Sequence, residues 1–253
     1  MRWYDSNATV VEATLREARA NHYYPSVTTI LDVINKPAVE IWKRNIVIDE
    51  AMKLNPIFAE HEIDEFKETV NYRAGIKFSE AAELGTKWHR LLVDHLLLGL
   101  AAGESEIPAA TLHAIDEKLK DLEIHLEQHE IPFVNKDDGY AGTIDAIGYR
   151  MAEGVKIPIV LDWKTQGTNG KSPRYYDTWP MQLAAYSKVE NLRSRAEIWN
   201  VVLSTTDPGR VWFKGWSHQD YWWEAFYSAH IIWCTLNNYN PRSGKKWFQD
   251  EHE

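Results

Sequence analysis

Three ionisable residues in one stretch have the types and spacing for metal-assisted chemistry. The stretch runs from Tyr140 to Thr165, YAGTIDAIGYRMAEGVKIPIVLDWKT, and carries Asp145, Asp162 and Lys164. It reads as two strands joined by a polar turn. Side chains alternate faces along a strand, so Asp162 and Lys164 point one way and Trp163 the other. Asp162 follows the apolar run Ile157-Pro158-Ile159-Val160-Leu161 and stands at the edge of a buried strand. An ionised carboxylate there is costly unless a cation or hydrogen bonds compensate it. If the strands pair, Asp145 sits beside Asp162. Two carboxylates and one ammonium leave net negative charge, which suits a hard divalent cation such as magnesium or manganese. A plain ion-pair network is the competing reading.

Other polar residues stand in ordered positions around this stretch. His89 lies in GTKWHRLL, flanked by Trp88 and Leu92, and suits a structural histidine as well as a ligand. Gln182 and Tyr186 occur in MQLAAYSK, and a spacing of four puts them on one helix face. An amide–phenol pair on a solvated helix would look the same. His125 and His129 in HLEQH share a helix face, but zinc would need further ligands.

The elements that must hold these residues follow from periodicity and breakers. Val10 to Ala20 reads as a short helix. Tyr23-Tyr24-Pro25 marks an extended segment, after which Ser26 caps a helix running through Val33 and Ile34. Pro37 opens a second helix. Residues 57–74 read as helical, and Ser79 opens a helix whose stripe includes Leu84, Trp88, Leu91, Leu92 and Leu96. Gly99 to Glu106 reads as a loop. A helix after Pro108 carries Leu112, Ile115, Leu119, Leu122 and Leu126 on one face. From Ile131 the period is two. Strands are expected over 131–134, 140–149 and 157–164, a helix over 179–189, and strands over 196–204 and 210–216. Ser217 is expected to cap the last helix. The class is α/β.

Composition narrows the possibilities. The 253 residues carry a formal charge of -9, which argues against a generic polyanion binder but not against a local basic patch. The one cysteine, Cys234, excludes intrachain disulfides, four-cysteine zinc sites and a cysteine-ligated iron–sulfur cluster. No signal-peptide pattern and no spanning apolar run is present, so a soluble cytoplasmic protein is expected. Lys171 and Arg174 lie in the loop after Lys164, with Lys188, Arg193 and Arg195 beyond, and are candidates for phosphate contact. Tyr23 and Tyr24 are candidates for base stacking. Ser26 and Thr28 mark a helix start that could face an anion. No GxxxxGK[ST] loop suggests ATP use.

Taken in order, His89, Gly142-Thr143-Ile144-Asp145, Asp162-Trp163-Lys164 and Gln182-x-x-x-Tyr186 resemble the RecB-like exonucleases of the PD-(D/E)XK nuclease superfamily. The resemblance covers roughly residues 80–205. Tyr24-Pro25-Ser26-Val27-Thr28 extends it, being similar to a segment of phage exonucleases and of the mitochondrial genome maintenance exonuclease group. It implies a restriction-endonuclease-like core, a central mixed β-sheet flanked by helices in the order αβββαβ. Residues 1–78 would be an N-terminal helical extension that could act as a DNA-engaging lid, and 79–253 the nuclease core. It implies a Mg2+- or Mn2+-dependent deoxyribonuclease, an exonuclease on single-stranded DNA or DNA ends, serving replication, recombination or repair in a bacterial or phage-infected cell. His89, Asp145, Asp162 and the backbone carbonyl of Trp163 would hold the metal. Asp145, Asp162 and Lys164 would be catalytic, with Gln182 and Tyr186 bracing the site or touching the DNA backbone. The first acidic motif departs from the family pattern, reading Ile144-Asp145 where Pro-Asp is usual. The cluster-bearing relatives are excluded by the cysteine count. A catalytically silent DNA-end-binding module on the same fold is the alternative.

Overall fold

The computed structural model describes residues 1–54, 63–98, 106–189 and 196–248. They fall into two compact units, Met1–Ile34 with Pro108–Glu253, and Asn35–Ile107.

The first unit begins with a three-stranded antiparallel sheet in the order β2-β1-β3, from β1 (Trp3–Tyr4), β2 (Val10–Val11) and β3 (Tyr24–Pro25). Between β2 and β3 lies α1 (Leu15–Asn21). The expected helix over Val10–Ala20 is shorter because Thr14 fixes its start. The Thr14 hydroxyl accepts from the Glu17 amide, and the Glu17 carboxylate accepts from the Thr14 amide at 2.7 Å. Such a reciprocal cap satisfies two orphan donors. Ser26 caps α2 (Val27–Leu31) as expected, accepting from the Thr29 amide at 3.0 Å. The helix stops at Leu31, short of Val33 and Ile34.

The second unit contains α3 (Pro37–Lys53) and α4 (Ile63–Leu98). Pro37 takes the first position of α3, where its missing amide costs nothing. Ser79 does not open a helix: α4 runs through it, and its hydroxyl bonds Glu83 at 2.8 Å. Trp42 of α3 packs on Phe78 of α4 with ring centroids 5.5 Å apart. The expected loop at 99–106 falls, except for Glu106, outside the described residues, as do residues 57–62 of the expected helix over 57–74.

The chain returns to the first unit at α5 (Ala109–Asp121). Glu123 adopts φ +52° just beyond it, so Leu126, expected on the helix face, lies instead on β4 (Ile124–Asn135). Then come β5 (Tyr140–Ala152), β6 (Val155–Gln166), α6 (Thr178–Ser187), β7 (Glu197–Ser204), β8 (Val211–Trp216) and α7 (Gln219–Leu236). His218, in a left-handed conformation, takes the cap position expected for Ser217. The five strands form a mixed sheet in the order β4-β5-β6-β7-β8. All neighbours are antiparallel except β6 and β7, whose parallel pairing requires the crossover through α6. From α5 to β7 the elements follow the order αβββαβ.

Leu183, Ala184 and Ala185 of α6, and Phe226 and Trp233 of α7, share one core with Val160 and Ile198 of the sheet. The Tyr140 hydroxyl donates to the Ala185 carbonyl at 2.8 Å and pins α6 to β5. Gly142 makes the close approach possible. A Cβ there would stand 2.9 Å from the Phe133 ring and 3.0 Å from the Tyr186 ring.

Candidate active site

The site forms where β5 and β6 part. Their ladder runs from Ala152 and Val155 to Ala146 and Leu161. One step further stand Asp145 and Asp162. There a side chain takes over from the ladder: Asp145 Oδ2 accepts from the Trp163 amide at 2.8 Å. Strand β6 stays paired to β7, with Asp162 beside Asn200 and Lys164 beside Val202. Asp162 and Lys164 therefore emerge on one face, while Trp163 is fully buried on the other.

Asp162 is 1% exposed, and every acceptor position of its carboxylate is engaged. Oδ1 accepts from Lys164 Nζ at 2.9 Å and from Gln182 Nε2 at 3.0 Å. Oδ2 lies 2.8 Å from Lys164 Nζ and accepts from Asn200 Nδ2 at 2.6 Å. Gln182 is a hub: its Oε1 accepts from Lys164 at 3.2 Å, and its Nε2 also donates to the Tyr186 hydroxyl at 2.9 Å. The face of α6 that carries Gln182 and Tyr186 thus lies over the two aspartates, as the four-residue spacing required.

Asp145 is held differently. Burial pushes its carboxyl well above the usual range, and the Asp162 charge pushes it further; Lys164 and the Trp163 amide oppose this, and Glu130 adds to the rise. Burial likewise raises the Tyr186 phenol well above its ordinary value, with both aspartates adding to the effect, so it stays neutral.

Two residues of this neighbourhood were not anticipated. Glu130 stands across from Asp145 on β4, between the pairs His129–Ala146 and Ile131–Ile144, and takes φ +50°. Asn200 is fully buried on β7, and its Oδ1 accepts from Trp216 Nε1 at 2.8 Å. A lone amide in the apolar strand EIWNVVLS was the available signal for it.

Of the other candidates, His89 lies on α4, in the helical unit, and Asp145, Asp162, Lys164, Gln182 and Tyr186 belong to the sheet unit. Tyr24 is 4% exposed and packs with Tyr4 and Ala141, which removes its ring as a stacking surface. Ser26 is buried and caps α2: its hydroxyl accepts from the Thr29 amide, which is thereby taken, and donates to Thr29 Oγ1 at 3.0 Å. Thr28, Lys171 and Arg174 are exposed. Arg193 and Arg195 lie outside the described residues. His125 and His129 lie on strand β4 rather than one helix face, and His125 stacks on Tyr149 at 4.9 Å.

No protein-family model matches the chain, and no curated protein does. Among solved structures it is similar to SSO0001, at 17% identity and a TM-score of 0.33, over 76% of this chain and 86% of that one. No described helix is long and apolar enough to cross a membrane.

Proposed function

We propose that the chain is a metal-dependent deoxyribonuclease on a restriction-endonuclease-like core. One observation carries the reading: Asp145 and Asp162 converge where β5 and β6 part, with Lys164 between Asp162 and Gln182. The donor set fits Mg2+ or Mn2+, which prefer carboxylate and carbonyl oxygens. Burial first, and then the neighbouring Asp162 charge, raise the Asp145 carboxyl, and a bound cation would favour its ionised form. Asp145, Asp162 and the Trp163 carbonyl would hold the ion, with His89 as the further ligand implied by the family resemblance. When bound, such an ion supplies Lewis acidity and a water made far more acidic than bulk water.

The chain's own groups do the rest. Lys164 places a cation where negative charge grows on the phosphate, a form of preorganised stabilisation. Gln182 and Asn200 fix Asp162 from two sides, so its carboxylate does not swing as Lys164 turns towards substrate. Tyr186 supports Gln182 from the helix. The expected substrate is single-stranded DNA or a DNA end, in replication, recombination or repair.

One observation favours the silent-module alternative. Asp162 has no acceptor position left, and Lys164 spans both of its oxygens. In that reading the charges form a closed network that needs no ion. Labelled single-stranded, duplex and circular DNA, incubated with and without Mn2+, separates the two. Manganese-dependent cleavage supports the nuclease, and resistance of circles makes it an exonuclease. DNA retention with no cleavage in Mg2+ or Mn2+ supports the silent module.

A further inference from the structure

The face of α6 that brings Gln182 to Asp162 carries a third residue, Trp179, one turn earlier. Lys164 Nζ lies 5.8 Å from its ring centroid, within cation–π range. Two tyrosines of the preceding loop meet Trp179 edge-on. Tyr175 lies at 6.1 Å and 87°, and Tyr176 at 5.1 Å and 75°. Tyr175 also meets Trp216 at 5.9 Å and 85°. Trp216 donates to Asn200, and Asn200 donates to Asp162. The contacts close a ring: Asp162, Lys164, Trp179, Tyr175, Trp216, Asn200 and back to Asp162. An aromatic surface is therefore built into the wall of the charged site.

The surface is open and held in place. Tyr175 is 37% exposed, while Trp179, Tyr176 and Trp216 are half-buried. The loop bearing the tyrosines is tied at both ends. Gln166 acts as a peptide mimic, accepting from the Arg174 amide at 2.7 Å and donating to the Arg174 carbonyl at 3.2 Å. Asp207 accepts from the Thr168 hydroxyl at 2.5 Å and from the Gly170 amide at 2.9 Å. Positive charge surrounds the rings. Lys171 and Arg174 are exposed in the same loop, and Lys214 Nζ lies 5.2 Å from the Trp216 centroid. Asp177 is also exposed nearby, whereas Asp207 is already occupied by hydrogen bonds.

Partly exposed aromatic rings interleaved with cations, beside the charged site, match what an unpaired nucleic-acid strand offers: flat bases on a charged backbone. We propose that Trp179, Tyr175 and Tyr176 form a stacking platform for the unpaired base next to the phosphate held at Asp145, Asp162 and Lys164, which makes the substrate a single strand. The placement rests on the nuclease reading. The platform itself does not, so the two are separable. In a duplex the base faces are covered by their neighbours, and the rings have nothing flat to receive.

The test is equilibrium binding in EDTA, where no cleavage occurs, read by fluorescence anisotropy. The probes are a labelled thymidine 12-mer, the same backbone with abasic sites, and a duplex. The wild-type protein is expected to hold the 12-mer about 5- to 150-fold tighter than the abasic strand, the range for one stacked base. Tyr175→Ala and Trp179→Ala should bring that ratio towards one, while Tyr175→Phe, which keeps the ring, should preserve it. Thermal melts confirm that the variants fold. A wild-type ratio near one, a ratio unmoved by both alanine variants in folded protein, or preference for the duplex would overturn the platform. A preserved base preference in a protein that cuts no DNA in Mn2+ would leave the platform standing and remove the nuclease.

Discussion

Asp145→Asn should stabilise the metal-free protein while destroying its use of metal. The change keeps the side-chain oxygen that accepts from the Trp163 amide at 2.8 Å, so the splayed strand end retains its tie. It removes one of two like charges. At a separation on the order of 5 Å and an effective dielectric near 20, two carboxylates repel by about 3 kcal/mol. Lys164 offsets part of this, leaving a net gain of about 1–2 kcal/mol. For a chain of this size that raises Tm by about 2–8 °C in EDTA. The pH dependence has a defined sign. Burial, then Asp162, raise the Asp145 carboxyl above its ordinary 3.8, so the folded state holds the proton more tightly than the unfolded chain. Its contribution is complete below pH 3.8 and is lost as pH rises towards the raised value. Asn at this position removes that slope. Saturating Mn2+ reverses the ranking: at 100 times its Kd an ion adds about 2.7 kcal/mol to the wild type and little to the variant. Calorimetry in EDTA and in Mn2+ reads both effects. A variant less stable than wild type in EDTA would refute the reasoning that a charge conflict is stored here.

Three further predictions concern the frame around the site. Asn200→Leu leaves Asp162 Oδ2 and Trp216 Nε1 without the amide that serves both, and should cost about 2–4 kcal/mol in urea unfolding. His230 is 4% exposed, and burial holds its imidazole down at about 4. Its unfolded form takes a proton from about pH 6.5 downwards while the folded form does not, so stability falls by about 3 kcal/mol between pH 6.5 and 4; His230→Phe should flatten that part of the curve in pH-dependent melts. Hydrogen bonds, first of all from Thr168, hold the Asp207 carboxyl down to about 2 against an ordinary 3.8. The loop it ties therefore keeps this support above pH 3.8 and loses it as pH falls through about 2; Asp207→Ala should expose residues 167–177 to proteolysis at neutral pH.

The parts of the site set by local spacing were legible in the amino-acid sequence. Asp162 and Lys164 follow from strand alternation, and Gln182 and Tyr186 from helical spacing. Asp145 beside Asp162 required only that the two strands pair. Glu130 and Asn200 were not legible, because each reaches its partner through register between strands far apart in the chain. Glu130 meets Asp145 across β4 and β5, and Asn200 meets Asp162 through a parallel pairing that depends on α6. Helix ends were misplaced where a left-handed residue, Glu123 or His218, set the boundary, since neither is glycine and neither carries a sequence signal. Tyr24 stands as a base-stacking candidate in the sequence because an aromatic before Pro25 looks the same whether its neighbours bury it or not. The tyrosines after Lys164 passed unnoticed because edge-on contact with Trp179 needs the folded loop.

In the proposed function, Asp145, Asp162 and Lys164 cut phosphodiester bonds with a divalent ion. The most direct measurement is the single-turnover rate of Mn2+-dependent cleavage of an end-labelled single strand by the wild type, Asp162→Asn and Lys164→Ala. Cleavage by the wild type and a loss of about a thousandfold or more in both variants are expected. Lys164→Ala should bind Mn2+ at least as well as the wild type, since a competing cation has gone. Unchanged cleavage in Asp162→Asn, or no cleavage by a folded wild type that binds Mn2+, would contradict the proposed function.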